Sequence, residues 1–304
     1  MKRTVTGMLT VLVASLGLTA CGSGGNPLSP GTGGQSLTDT ITVGSANFAE
    51  SKLIAEIYAA ALGNKGIKVT KRLGIGSRET YLPALKDSSV DLVPEYAGVL
   101  LQYLDKTVDK TSADDVYSAL RAKVPAGLSV LDKSPAEDKD SIVVTKQLAE
   151  KYNAKSIADL APHCGELIFG GPPEFKTRPD GIPGLDKHYG CRFADYKALD
   201  AGGPLTVAAL RQNSVQAVDL FTTDSSIKTN DWVVLTDPKG NFAAQNVVPL
   251  INTKKATEAV TKVLNAVSAK LDTATLVDLN TRLAGDDHPD ASTVASQWLA
   301  SVGL

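Results

Sequence analysis

Apolar positions recur along this chain in short units: a stretch with helical spacing, then a brief continuous apolar run. One such unit occurs twice. Residues 84–90 read A-L-K-D-S-S-V, and residues 209–215 read A-L-R-Q-N-S-V. Both copies reach a Val-Asp-Leu tripeptide, Val90-Asp91-Leu92 overlapping the first and Val218-Asp219-Leu220 following the second. Each then runs into an aromatic residue, Tyr96 or Phe221. The first half of each copy has the pattern of an amphipathic helix end and the second half that of a short buried strand. An aromatic just past a strand's C-terminal end stands where ligands bind in open α/β sheets. The repeat predicts two α/β lobes facing each other across a cleft, with chance similarity of short helix–strand units as the alternative.

The same patterning places the remaining elements. Strand 40–43 leads through a turn at 44–48 into a helix from about residue 50, with Leu53, Ile54, Ile57, Tyr58 and Leu62 at helical spacing. Strand 67–72 follows, and Gly74-Ile75-Gly76-Ser77 opens a second helix with Ser77 as N-cap. Strand 91–94, helix 95–104, helix 112–124 with a Ser112/Asp115 capping box, and strand 128–131 complete a first lobe. The polar stretch 133–140 reads as a crossing. Beyond it come strand 141–144, helices 146–152 and 156–160, strand 166–169, a loop at 170–173, a short helix after 175–181, the repeated unit and a turn at 221–224. Strand 232–235 and a turn at 237–240 lead to strand 246–251, which crosses back. Three closing helices, 257–270, 274–283 and 291–302, are expected to pad the first lobe and stay out of the cleft. Two crossings leave lobe 1 as 41–139 plus 247–304 and lobe 2 as a continuous insertion, 140–246, a hinged α/β pair.

Composition narrows the class. A chain of 304 residues has two-domain length, and 43% hydrophobic with 21% charged residues permits a sizeable core. A net charge of −2 lacks the basic footprint of a nucleic-acid partner. The N-terminus carries Lys2 and Arg3, an apolar run from 8 to 18 too short to span a bilayer, and Leu18-Thr19-Ala20-Cys21, which matches the bacterial lipobox. Residues 1–20 are therefore read as a lipoprotein signal peptide with Cys21 lipidated; a plain secretory signal is the alternative. Residues 21–40, rich in Gly, Ser, Pro and Thr, read as a flexible tether. The expected location is extracytoplasmic, lipid-anchored to the bacterial cell membrane. Cys164 and Cys191 then form an even pair outside the cytoplasm, best read as a disulfide. Closing that loop would contribute about 3–4 kcal/mol in the chain-entropy model. His163 and His188 lie near these cysteines without zinc-site spacing, so no metal is expected.

Catalytic signatures do not stand out: there is no G-x-S-x-G, no H-E-x-x-H and no Cys-His pair with an orienting acid. The Gly74-x-Gly76 turn has the makings of an anion cradle at a helix N-terminus, but no Walker lysine follows, and a plain turn is the simpler reading. What remains is binding. Arg178 sits in a Pro- and Gly-pinned loop where a guanidinium could grip a carboxylate bidentately, a surface ion pair being the alternative. Tyr96 and Phe221 would face each other across the cleft, where aromatic faces suit a cationic or apolar ligand.

At these residues the sequence resembles the osmoprotectant-binding (glycine betaine/choline/proline betaine) substrate-binding lipoproteins of ABC importers. The matching stretches are VGSANFAES (43–51), GSRETYLPAL (76–85), VDLVPEYAG (90–98), PPEFKTRPDGIPGL (172–185), GGPLTV (202–207), VDLFTTD (218–224) and NVVPL (246–250). The resemblance implies a type II periplasmic binding fold that captures a small solute, closes around it and hands it to an ABC permease with its ATPase. It implies no cofactor, no enzymatic turnover and a monomer. The family's aromatic cage for a quaternary ammonium maps to Tyr96, Ile142, Phe221 and Gln245, of which only two are aromatic. Its acidic companion maps to Asp140, its carboxylate-gripping arginine to Arg178, and its first-strand turn residue to Ala46, with Asn47 adjacent. Thr222 and Asn246, beside two of these positions, complete the expected site. The eroded cage leaves two ligand readings: weak binding of glycine betaine, or a neutral polyhydroxylated or aromatic compound using Gln245, Asn246 and Tyr96. An enzyme on the same fold is the reading from another class.

Overall fold

The structure, a computed structural model, describes residues 40–304. The signal peptide, Cys21 and all but the last residue of the tether lie outside the described residues. From the start of the described chain, β1 (Thr40–Ala46), α1 (Ala49–Asn64), β2 (Lys68–Gly76), α2 (Arg78–Lys86), β3 (Leu92–Tyr96), α3 (Ala97–Leu104), α4 (Ala113–Lys123) and β4 (Leu128–Val130) build the first lobe. The chain then crosses into β5 (Asp140–Val144), α5 (Lys146–Tyr152), α6 (Ile157–Leu160), β6 (Ile168–Gly171), α7 (Ile182–Tyr189), β7 (Asp195–Ala198), α8 (Pro204–Arg211), β8 (Ala217–Phe221), α9 (Ser225–Thr229) and β9 (Val233–Val234). It returns through β10 (Val247–Asn252) and closes with α10 (Glu258–Lys270), α11 (Thr273–Leu283) and α12 (Ala291–Val302).

Each lobe holds one five-stranded sheet, and the two follow one template. The orders are β2-β1-β3-β10-β4 and β7-β6-β8-β5-β9. In each, the third strand pairs parallel with the second and antiparallel with the fourth. The strands of the repeated unit, β3 and β8, take that central place, so the sequence echo is a structural equivalence. It extends to the turn entering each strand. Ser88 and Asn213 both adopt left-handed backbone, at φ of 64° and 56°. The hydroxyls of Ser89 and Ser214 donate to the carbonyls of Ala84 and Ala209, at 3.3 and 3.1 Å. Val90 and Val215 donate their N–H groups to those same carbonyls, at 3.0 and 3.4 Å. Both strands end on the aromatic residue that faces the cleft.

One face of the first sheet is covered by α1, packed with the three closing helices through Leu53, Ile57, Leu264, Leu276 and Trp298. The other face is covered by α2, α3 and α4 through Leu82, Leu100 and Leu120. In the second lobe Phe169, Phe175 and Leu185 pack with a bonded Cys164–Cys191 pair, which ties the segment before β6 to the end of α7. Between lobes the two crossing segments pair: Glu137 and Asn246 form an antiparallel bridge, and Asp138 N–H donates to the Gln245 carbonyl at 3.2 Å.

Several elements differ from expectation. β1 runs on to Ala46 and β2 through Gly76, so Gly74 is strand, with its N–H donated to the Ser45 hydroxyl at 2.8 Å. That N–H is spent on the protein, which decides against the anion cradle. β6 likewise runs through Gly171. At α4 the Ser112 hydroxyl accepts the Asp115 N–H, but the Asp115 carboxylate returns to that hydroxyl and not to the backbone. The reciprocal capping box forms at Ser156 and Asp159. The exposed edge strand β7 and the five-residue α9 were not anticipated, because neither carries an apolar period. The closing helices do reach the seam between lobes, since Asn280 of α11 meets Thr223 from the second lobe at 3.1 Å.

Candidate functional site

The cleft between the lobes holds a partly open cavity. Its walls come from the C-terminal ends of β1, β3 and β8, from the start of α2, from the crossing segments and from the loop carrying Arg178. Of the expected site residues, Ala46, Asn47, Tyr96, Asp140, Arg178, Phe221 and Gln245 line it. Three others lie elsewhere. Ile142 is two residues further along β5, about 7 Å deeper at strand rise, and sits in the second-lobe core at 1% exposure. Thr222 turns outward and donates to Asp138 at 3.3 Å; the next residue, Thr223, is the one that turns inward. Asn246 alternates with Gln245 on the return crossing, so its side chain points to the other crossing segment and donates to the Ser134 carbonyl at 3.0 Å.

Phe48 was not singled out in the sequence, yet its ring is the centre of the aromatic wall. It lies 4.9 Å from the Phe221 ring and 6.0 Å from the Tyr96 ring. The signal was its place just beyond β1, the same strand-end position that marked Tyr96 and Phe221. On the cavity wall Arg78 forms a two-pronged buried ion pair with Glu95, Nε to Oε1 at 2.8 Å and Nη2 to Oε2 at 2.7 Å. The Tyr81 hydroxyl donates to Glu95 as well, at 2.8 Å. Burial alone would lower the Arg78 pKa, but the Glu95 carboxylate outweighs it and the guanidinium stays firmly charged. This pair fixes the floor on which Tyr81 and Tyr96 stand.

Arg178 reaches across the cleft. Its Nη2 lies 3.3 Å from Glu79 of α2 and 3.9 Å from Glu174 of its own loop. Its Nε is buried without a protein partner among the described residues. Behind it, Asp140, Asp180 and Asp219 cluster on the second lobe. Burial and the Asp140 charge push Asp180 up to about 6, while Arg178 pulls the other way. Burial also raises Asp219 well above the usual carboxylate range. Gln245 accepts the N–H of Val99 at its side-chain carbonyl at 3.0 Å, satisfying a donor of the first turn of α3, while its Nε2 has no partner among the described residues. One cavity thus gathers aromatic faces, the guanidinium groups of Arg78 and Arg178 and a fixed amide donor.

Two α/β lobes with a double crossing and a ligand-sized cleft define the type II class of solute-binding proteins. Residues 39–301 match the family described as OpuAC, substrate binding domain of ABC-type glycine betaine transport system, and the chain belongs to that family. It is 30% identical over 240 residues to an ergothioneine transport permease/ergothioneine binding protein of Helicobacter pylori (strain G27), covering 76% of this chain and 42% of that protein. It is 29% identical over 266 residues to a glycine-betaine-binding protein of Pseudomonas aeruginosa (strain PAO1), covering 82% and 84%. A crystal structure titled as a glycine betaine/carnitine/choline ABC transporter superposes with a TM-score of 0.68 at 22% identity, covering 86% of this chain and 98% of that one. Substrate-binding proteins of ABC importers work outside the cytoplasm. Among the described residues no helix is long and apolar enough to cross a membrane.

Proposed function

We propose that this protein captures a small betaine-type zwitterion in the cleft and delivers it to a membrane permease and its ATPase, without chemistry of its own. The observation that carries this reading is the meeting, in one cavity, of Arg178 with the rings of Phe48, Tyr96 and Phe221. A guanidinium offers a fork to a carboxylate. A quaternary ammonium has no N–H to donate and is held by aromatic faces, each worth about 0.5–2 kcal/mol. With Phe48 and Tyr81 in the wall beside Tyr96 and Phe221, and Ile142 outside it, the cavity has four rings, which favours a betaine over the neutral polyhydroxylated alternative. That alternative also loses Asn246, whose side chain is engaged with Ser134. The lobes are read as 41–139 plus 247–304 and 140–246, a monomer held near the membrane by lipid on Cys21.

A larger betaine with polar ring atoms is the second reading. It is favoured by Gln245 Nε2 and Asp138 Oδ2, two buried atoms on cavity-lining residues without partners among the described residues, which the ammonium end of glycine betaine leaves unused. Titration calorimetry with glycine betaine, choline, carnitine, ergothioneine and a polyol panel decides among these. Saturable binding of glycine betaine or ergothioneine is expected, with choline weaker for want of a carboxylate. Binding confined to the neutral panel, or turnover of any bound compound, would overturn the reading. For the anchor, Cys21→Ala is expected to release the protein from the membrane fraction, and unchanged retention would count against lipidation.

A further inference from the structure

At the edge of the cavity lies a buried polar cluster centred on Glu50, which does not itself line that cavity, with Asp138 and Tyr96 reaching its wall. Glu50, on the first turn of α1, is 5% exposed, Asp138 on the first crossing is 3% exposed, and Thr223 after β8 is 2% exposed. The Tyr96 hydroxyl donates to Glu50 Oε1 at 2.6 Å. Glu50 Oε2 lies 2.5 Å from the Thr223 hydroxyl and 2.5 Å from Asn280 Nδ2. The same Thr223 hydroxyl lies 2.9 Å from Asp138 Oδ1. A threonine hydroxyl has one hydrogen. Between two ionised carboxylates it can satisfy one, and the other contact then sets oxygen lone pairs against each other. One proton on the pair turns both contacts into hydrogen bonds.

We propose that Glu50 and Asp138 hold one proton between them through the Thr223 hydroxyl, and that this shared proton latches the two lobes and fixes Tyr96 in the cavity wall. Glu50 is thereby a positioning residue, acting on the ligand through Tyr96. Five segments meet there: α1, β3, the first crossing, α11 and the turn after β8. The groups facing Glu50 are Tyr96, Thr223, Asn280 and Asp138. Nearby, Glu137 pairs with Lys139 at 3.2 Å, and Asp224 is occupied by the Ser226 N–H at 2.8 Å. Burial raises the Glu50 carboxyl, and burial with the Glu50 charge raises Asp138 well above its usual range. A raised acid keeps its proton to higher pH. The latch is therefore intact at low pH and is lost as pH rises through the raised value.

The test uses the ligand-free protein, so it stands whichever zwitterion binds. Small-angle X-ray scattering and the thermal unfolding midpoint are followed from pH 5 to pH 9 for wild type, Glu50→Gln and Thr223→Val. For wild type, the radius of gyration is expected to grow and the midpoint to fall as pH rises. Glu50→Gln, neutral throughout, should stay compact across the range and show a shallower fall in midpoint; Asp180 and Asp224 titrate in both proteins, so the difference between curves isolates the pair. Should Glu50→Gln fail to fold, Thr223→Val, which lacks the bridging hydroxyl, should be expanded at both ends of the range. A wild-type radius unchanged between pH 5 and pH 9, a wild-type slope retained in Glu50→Gln, or a Thr223→Val protein as compact as wild type would each overturn the proposal.

Discussion

Glu95 shows most plainly how a single residue supports this cleft. It lies at 0% exposure inside β3 and takes donors from Arg78, Tyr81 and the Tyr96 backbone. Replacing Glu95 by Gln leaves the Arg78 guanidinium buried without a counter-charge, which costs about 3–5 kcal/mol. Chemical denaturation should register that loss, and a change below 1 kcal/mol would place the pair in a wetter setting. Asp180 makes the opposite kind of prediction. Its pKa in the fold is raised to about 6 by burial and by Asp140, so its neutral form is the one the fold tolerates. Stability on its account is full below its unfolded value and falls as pH rises through about 6. Asp180→Asn should remove a decline on the order of 2–3 kcal/mol between pH 4 and 7, read from denaturant midpoints. Arg178, Tyr96 and Phe221 were legible in the sequence because each sits in a motif whose local geometry aims it. Glu50 and Asp138 were not. Their roles come from partners such as Thr223, 173 residues from Glu50 in the chain, and no local pattern encodes such a meeting.

At the scale of elements, the repeated helix–strand unit carried the most information. Its two copies share left-handed turns, carbonyl contacts and a central sheet position, all fixed by a seven-residue pattern. Long periodic helices such as α1 and α10 were readable for the same reason: a buried stripe leaves a 3.6-residue signature. β7 left no signature because it is an exposed edge strand, and α9 because none of its residues is buried. Gly98 in the first turn of α3 tests how tightly these elements meet. A Cβ there would stand 2.7 Å from the Ala244 carbonyl and 3.0 Å from Gln245 Nε2. Gly98→Ala should therefore push α3 from the return crossing and destabilise by about 1–3 kcal/mol; a neutral result in denaturation would indicate that the crossing yields. In the second lobe, reducing Cys164–Cys191 should cost about 3–4 kcal/mol. Unfolding with and without reductant measures it, and equal midpoints would mean the bond leaves the unfolded chain no more constrained.

For the whole molecule, two like-built lobes are joined by paired crossings, the layout of a hinge. Contacts from Glu79 to Arg178 and from Glu50 to Thr223 already bridge the seam. A ligand shifts such an equilibrium only by touching both sides. A betaine bound as proposed would do so, with its carboxylate on Arg178 of the second lobe and its ammonium against Phe48 and Tyr96 of the first. Small-angle X-ray scattering at pH 8 with saturating glycine betaine, and separately with ergothioneine, tests this most directly. The prediction is a smaller radius of gyration for wild type with at least one of the two, and no contraction at the same concentrations in Arg178→Ala. A wild-type radius unchanged by both, or an equal contraction in Arg178→Ala, would contradict capture of a zwitterion between the lobes.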